Sequence, residues 1–295
     1  MVESKEIFPL HIPQSLTPFQ LILDNIKDEF VDQDFPPTYA SIWDDELNMA
    51  YSEYHWVTSK EAETKGCYIM PKSNDIDLLF QENTSLHIIV FLKLLSKDYE
   101  FLKSIISIPK EDKNKFPKAI TIKVYRNDFQ EEIVLDTNYV VDEVDDPIFA
   151  NEADQLCLWP SFIIKALAKW LGSYYALEDV TLEDIMSIIY GPSIISSRHN
   201  TGRIEAGTQL DKWIRKDIKD TIVDMYNCGH CVIVKHNVEG QMNDPISIVA
   251  SCNDKQCQII DIMSEEVSSL SWRELKDSIT QYFCIFQQED VKTYK

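Results

Sequence analysis

Four cysteines stand in two close pairs, Cys228-x-x-Cys231 and Cys252-x4-Cys257. Four converging thiolates would make a tetrahedral zinc site; the first spacing suits a knuckle, and the second is wider than usual. Zinc held by Cys228, Cys231, Cys252 and Cys257 is one reading, and free thiols packed as small hydrophobes are the other. The first pair also spells Cys228-Gly229-His230-Cys231, the tetrapeptide of a dithiol redox centre. That chemistry needs the first thiol at a helix N-terminus, where the dipole lowers its pKa. Here the β-branched run Val232-Ile233-Val234 follows and favours a strand, so the tetrapeptide is read as coincidence. Two acidic runs, Asp44-Asp45-Glu46 and Asp142-Glu143-Val144-Asp145-Asp146 with Asn151 and Glu152 beyond, have the charge to attract calcium. Neither has the spaced oxygen ligands and central glycine of an EF-hand loop, and both are read first as acidic loops.

The elements around these residues follow from periodicity and caps. Thr17-Pro18 opens a helix carrying Phe19, Ile22, Leu23, Ile26 and Phe30 on one face, broken at Phe35-Pro36-Pro37. Leu86 to Leu95 is apolar nearly all round and predicts a buried helix running to about Ile106, with Asn83, Thr84 and Ser85 as N-cap candidates. Ala119–Arg126 and Glu132–Asp136 alternate as two paired strands about Asn127-Asp128. Val140 to Gln155 reads as an acidic loop. The stretch from Trp159 predicts a helix with Pro160 in its first turn and Gly172 just past its end.

A short helix from Thr181 to about Tyr190, a polar loop from Ser193 to Gly207 and a helix over 209–227 come next. Strands at Cys231–His236, Ile246–Ser251 and Gln258–Met263 follow. Ser271-Trp272-Arg273-Glu274 forms a capping box opening a helix to about Tyr282, with a last strand near Cys284–Phe286. Helices early and strands late argue an α+β fold. The expected division is a leader and helix at 1–33, a helical lobe at 34–118 and a β-rich lobe at 119–295.

The net charge of −21 excludes a basic groove for nucleic acid and disfavours anionic membrane surfaces. It suits a solvated acidic surface, or steering of a basic partner. The N-terminal residues lack the apolar core of a secretion signal, and seven cysteines in so long a chain fit mostly reduced thiols, so a cytoplasmic location is expected.

The segment Trp159 to Leu177, WPSFIIKALAKWLGSYYAL, resembles the W-P-x-L-x-x-K-A-x-A-K-x-x-G-S-Y-x-A-L stretch of calpain-type cysteine proteases. Cys228-Gly229-His230-Cys231-Val232-Ile233-Val234 resembles the family's G-H-x-Y-S-V strand. Trp272 to Phe283 is similar to the helix closing the protease core. The resemblance covers roughly residues 34 to 286 and implies a papain-like architecture with a helical and a β-rich lobe. Androglobins are one subgroup with degenerate cores of this kind.

It implies His230 as the base and Asp261 as its orienter, in the strand that replaces the family's R-N-P-W strand. It also implies a nucleophile at the start of the buried helix, where the family has Q-G-x-L-G-D-C-W. Counting back from Asp98–Ile106 puts Leu86 at that position, and aligning on Gln81 puts His87 there. Neither is a thiol. Family members bind calcium in each half of the core, so calcium is implied as a cofactor by resemblance alone.

The reading is therefore a calpain-like pseudoprotease, with a protein or peptide segment bound in the interlobe cleft as its partner. The rivals are an active calcium-dependent endopeptidase using an atypical nucleophile such as Ser85 or Cys67, and a zinc-stabilised interaction module.

Overall fold

The chain divides into two units between Ile189 and Tyr190. The computed structural model describes residues 30–42, 54–73, 76–82, 84–108, 116–127, 129–153, 156–191, 194–200, 203–206, 217–238 and 244–285. The helix expected to open at Thr17 lies outside these residues, as do Asp44, Asp45 and Glu46.

The first unit carries, in order, α1 (Tyr39–Ile42), β1 (His55–Val57), α2 (Ser59–Lys65), β2 (Leu78–Phe80), α3 (Leu86–Lys97), α4 (Tyr99–Ile105) and β3 (Ile106–Ser107). Then come β4 (Ala119–Arg126), β5 (Phe129–Asp136), β6 (Tyr139–Val141), β7 (Ala150–Glu152), α5 (Trp159–Leu171) and α6 (Leu182–Tyr190). Its strands form small antiparallel sheets: β1 with β6, β2 with β7, and β3-β4-β5. β7, and β6 apart from Tyr139, fall inside the stretch read as an acidic loop.

The buried helix expected to run to Ile106 is broken. Asp98 leaves helical geometry at φ −118°, ψ 70°, and its carboxylate accepts the Phe101 N–H at 3.0 Å, capping α4. Apolar periodicity continues across the break, and the local capping bond overrides it. In α3, Ile88, Val90, Phe91, Leu92 and Leu95 are fully buried.

In α5 every residue from Trp159 to Ala168 is buried. Pro160 sits in the first turn, where its missing N–H is one the helix cannot bond in any case. Gly172 ends the helix at φ 109°, a conformation that a Cβ disfavours. The two lysines of α5 explain why the first unit extends past the β4–β5 hairpin. Lys165 and Lys169 bind acceptors at the end of β5, so this hairpin belongs with the helices and not with a β-rich lobe at 119–295.

The second unit carries β8 (Ile194–Asn200), β9 (Arg203–Ala206), α7 (Ile218–Asn227), β10 (Cys231–His236), β11 (Ile246–Cys252), β12 (Gln256–Asp261), β13 (Val267–Ser271), α8 (Trp272–Ser278) and β14 (Ile279–Ile285). They form one seven-stranded sheet in the order β13-β12-β11-β10-β14-β8-β9, antiparallel throughout. Ile218, Ile222 and Met225 of α7 and Leu275 of α8 pack with Val232, Val234, Ile259 and Tyr282 of the sheet.

β8 and β9 replace the polar loop expected over Ser193–Gly207, and β13 lies where no strand was expected. All three stand at or next to a sheet edge. Ladder bonds there use backbone groups alone, so polar residues are accommodated. α8 ends at Ser278 and β14 starts seven residues of strand there, earlier than the strand expected near Cys284.

Candidate active site

Ser85 is the N-cap of α3, its Oγ accepting the Ile88 N–H at 3.4 Å. The hydroxyl oxygen thus satisfies one of the orphan donors of the helix start. Leu86, the first helical residue, is half-buried. His87, also half-buried, has Nδ1 3.1 Å from the Val180 carbonyl, so that nitrogen carries the proton and donates it. Gln81 is engaged on both sides of its amide: Nε2 donates to Asp142 Oδ2 at 2.7 Å, and Oε1 accepts the Phe149 N–H at 3.0 Å. Neither Leu86 nor His87 presents a thiol or hydroxyl at the helix tip.

Cys67 follows α2. Burial raises its thiol above the ordinary value, with a hydrogen bond from Tyr139 acting in the opposite direction. A raised pKa removes thiolate, so the environment of Cys67 is that of a structural cysteine.

His230 precedes β10, after Gly229 at φ +81°, and is buried. Its N–H donates to the Met225 carbonyl at 3.2 Å, linking the end of α7 to the strand. Cys228 caps the C-terminus of α7. That is the opposite helix end from the one that stabilises a thiolate, consistent with the coincidental reading of the Cys-Gly-His-Cys tetrapeptide.

The sheet separates Asp261 from His230. β10 pairs with β11 in the register Ile233↔Ile248 and Lys235↔Ile246, so the His230 end of β10 lies at the Cys252 end of β11. β12 then places Asp261 opposite Ser247, at the other end. Asp261 Oδ1 accepts from Met263 N–H at 2.8 Å and from Ser264 N–H at 2.7 Å, closing the turn into β13. The assignment of Asp261 as orienter of His230 is corrected on that register.

The amide nearer the His230 end of the sheet is Asn253, directly after β11. Its Oδ1 accepts Lys255 N–H at 2.9 Å and Gln256 N–H at 3.1 Å, and its carbonyl accepts Trp272 Nε1–H at 2.7 Å. The amide oxygen therefore serves the β11–β12 turn. The signal that finds it is position, an amide one residue past the strand next to the histidine strand.

The carboxylate of Asp261 faces a different imidazole. His236, at the far end of β10, is buried with Nε2 3.2 Å from Ser247 Oγ. Burial holds this imidazole below its ordinary value, against the opposing charges of Asp261 and Asp244. The unfolded chain therefore takes up this proton first. The stability associated with neutral His236 is complete above about pH 6.5 and is lost as pH falls below it, toward the depressed folded value. Urea midpoints should fall over that range more steeply in the wild type than in His236→Gln. Equal slopes would show that the imidazole does not contribute.

The thiols read as a zinc set are divided. Cys252 and Cys257 face each other across β11 and β12, whereas Cys231 lies on β10 and Cys228 on the cap of α7. Among the described residues no group of three or more His, Cys, Asp or Glu side chains is arranged to hold a metal.

The acidic loop is closed on itself. Asp142 Oδ1 accepts Val144 and Asp146 N–H groups at 3.0 Å each, and Asp145 pairs with His55 at 3.1 Å and Lys65 at 3.6 Å. Asn151 and Glu152 are buried in β7. These oxygens do not fit calcium as they stand. Among the described residues no helix is long and apolar enough to cross a membrane.

A buried helix with a capped tip and a sheet with a histidine opening an inner strand define the class, an α+β cysteine-protease core. The sequence profile of the calpain family cysteine proteases matches residues 30–242, and the chain belongs to that family. Comparison with curated proteins gives no match.

Proposed function

We propose that this calpain-family domain is catalytically silent and acts by binding an extended protein segment. The observation that carries the reading is the residue at the nucleophile position, Leu86 in one register and His87 in the other. An aliphatic side chain cannot attack a carbonyl, and the His87 Nδ1–H is committed to the Val180 carbonyl. The nearby hydroxyl of Ser85 caps the helix, and the thiol of Cys67 is held protonated by burial. A serine nucleophile needs a closely placed base to take its proton. Asn253, at the sheet end nearer His230, uses its amide oxygen within its own turn. A net charge of −21 favours a basic segment as the partner, through steering of the encounter.

The test is hydrolysis of unfolded casein by the purified chain, with and without calcium, beside His230→Ala. The expected result is no cleavage above the buffer rate and no difference between the two proteins. His230-dependent cleavage overturns the reading. In that case, labelling by a fluorophosphonate or by a thiol-directed epoxide separates Ser85 from Cys67 as the nucleophile.

A further inference from the structure

Cys252 and Cys257 are direct cross-strand partners at the mouth of the β11–β12 turn. One step closer to the turn, the Asn253 N–H donates to the Gln256 carbonyl at 3.0 Å. Because hydrogen-bonded and non-hydrogen-bonded pairs alternate in an antiparallel ladder, Cys252–Cys257 is a non-hydrogen-bonded pair. In such a pair the Cα atoms stand about 4.5 Å apart. That separation falls within the range of about 4.4–6.8 Å that a disulfide spans.

The next pair confirms the register: Ser251 Oγ donates to Gln258 Oε1 at 2.8 Å, directly across the two strands. Both cysteines belong on the packed face. Cys257 is fully buried in the core of the second unit, and Cys252, half-buried, packs against that core. The turn between them is held by the Trp272 Nε1–H bond to the Asn253 carbonyl.

We propose that Cys252 and Cys257 form a reversible disulfide, with a low-molecular-weight disulfide as the oxidant. The more accessible Cys252 loses its proton and attacks one sulfur of the small disulfide. The S–S bond of the oxidant breaks, one small thiolate leaves, and a mixed disulfide forms on Cys252. Cys257 then loses its proton and attacks the Cys252 sulfur, expelling the second small thiolate. Two protein thiols are oxidised and one small disulfide is reduced to two thiols, which take up the two protons.

Burial raises both groups, Cys257 to about 12, so oxidation begins at Cys252 and is slow at neutral pH. The bond would fix the turn that carries Asn253, at the end of the sheet where His230 lies. The inference stands on the β11–β12 register and does not depend on whether the domain hydrolyses peptides.

The test uses the wild-type chain, incubated with oxidised glutathione at mildly alkaline pH. Remaining thiols are alkylated under denaturing conditions, and the chain is digested without reduction by a protease cutting after lysine. Lys255 lies between the two cysteines, so a bridged chain gives two peptides joined through sulfur. Expected is that joined species, lost on reduction and absent from Cys252→Ser. Full alkylation of Cys252 and Cys257, while the exposed Cys228 has become a mixed disulfide with glutathione, overturns the proposal. So does Cys252 joined to any cysteine other than Cys257.

Discussion

Lys165→Met is expected to destabilise the first unit by about 3–5 kcal/mol, the usual cost of removing one partner from a buried ion pair. Lys165 has no exposed surface, and its ammonium has three acceptors: Asp136 Oδ1 at 2.6 Å, the Asp136 carbonyl at 3.0 Å and the Asn138 carbonyl at 2.7 Å. Those use the three N–H donors of a lysine completely. Burial draws its pKa down, and the adjoining Asp136 carboxylate opposes the shift. Without the ammonium, Asp136 is a charge with no exposed surface, whose remaining donors among the described residues are the Asp32 N–H at 2.8 Å and the Asn138 N–H at 3.0 Å.

Lys169, one turn on, pairs with Asp32 at 2.6 Å but keeps some exposure, so Lys169→Met should cost less. Lys165→Arg should not rescue the site, because the larger planar fork does not fit an enclosed point-charge position. Urea midpoints of the three variants check the order. Adding Asp136→Asn to Lys165→Met should recover part of the loss, a coupling on the order of 1–3 kcal/mol. A Lys165→Met chain within about 1 kcal/mol of wild type would show that the pair is not held as described.

These lysines are the K-A-x-A-K of the segment that first resembles the calpain family, and their role was only half legible in the sequence. Pro160 and Gly172 mark the ends of α5 by simple backbone rules, and Ser271-x-x-Glu274 forms both arms of its capping box, at 3.2 and 2.8 Å. Signals of this kind are local and survive in any tertiary setting. The apolar face of α5 was legible too, but nothing in its periodicity shows that two charged residues lie on the inward side. That needs Asp136, brought from the end of β5 across 29 residues of chain.

The same limit explains the misplacement of the orienting residue. Asp261 has suitable chemistry, and the strand around it has the expected alternation. Only the pairing of β10 with β11 shows that it stands beside His236 and that Asn253 stands at the end nearer His230. The serine-rich β13 and the polar β8–β9 hairpin escaped notice for a related reason. A strand pairing at a sheet edge needs its backbone groups and little apolar periodicity. The break at Asp98 was hidden because apolar residues recur at helical spacing on both sides of it, Leu94 and Leu95 before and Phe101 and Leu102 after.

Trp159→Phe should lower stability by about 1.5–3 kcal/mol, the range for a hydrogen bond to a charged partner. Trp159 opens α5 with no exposed surface, and its indole N–H donates to Glu152 Oε1 of β7, a side chain that is itself buried. Phenylalanine keeps much of the apolar volume and removes the donor, so the loss reads mainly the cost of that bond. Trp159→Ala should cost more, about 3–5 kcal/mol, because a cavity is added to the lost bond.

Glu152→Gln separates the two contributions. An amide oxygen still accepts the indole N–H, and leaving an amide without that donor costs less than leaving a carboxylate without it. Trp159→Phe measured in the Glu152→Gln background should therefore be milder than in the wild type. If the two penalties are equal by urea denaturation, the charge of Glu152 adds nothing to the bond, and a neutral acceptor on β7 anchors the helix as well as a carboxylate.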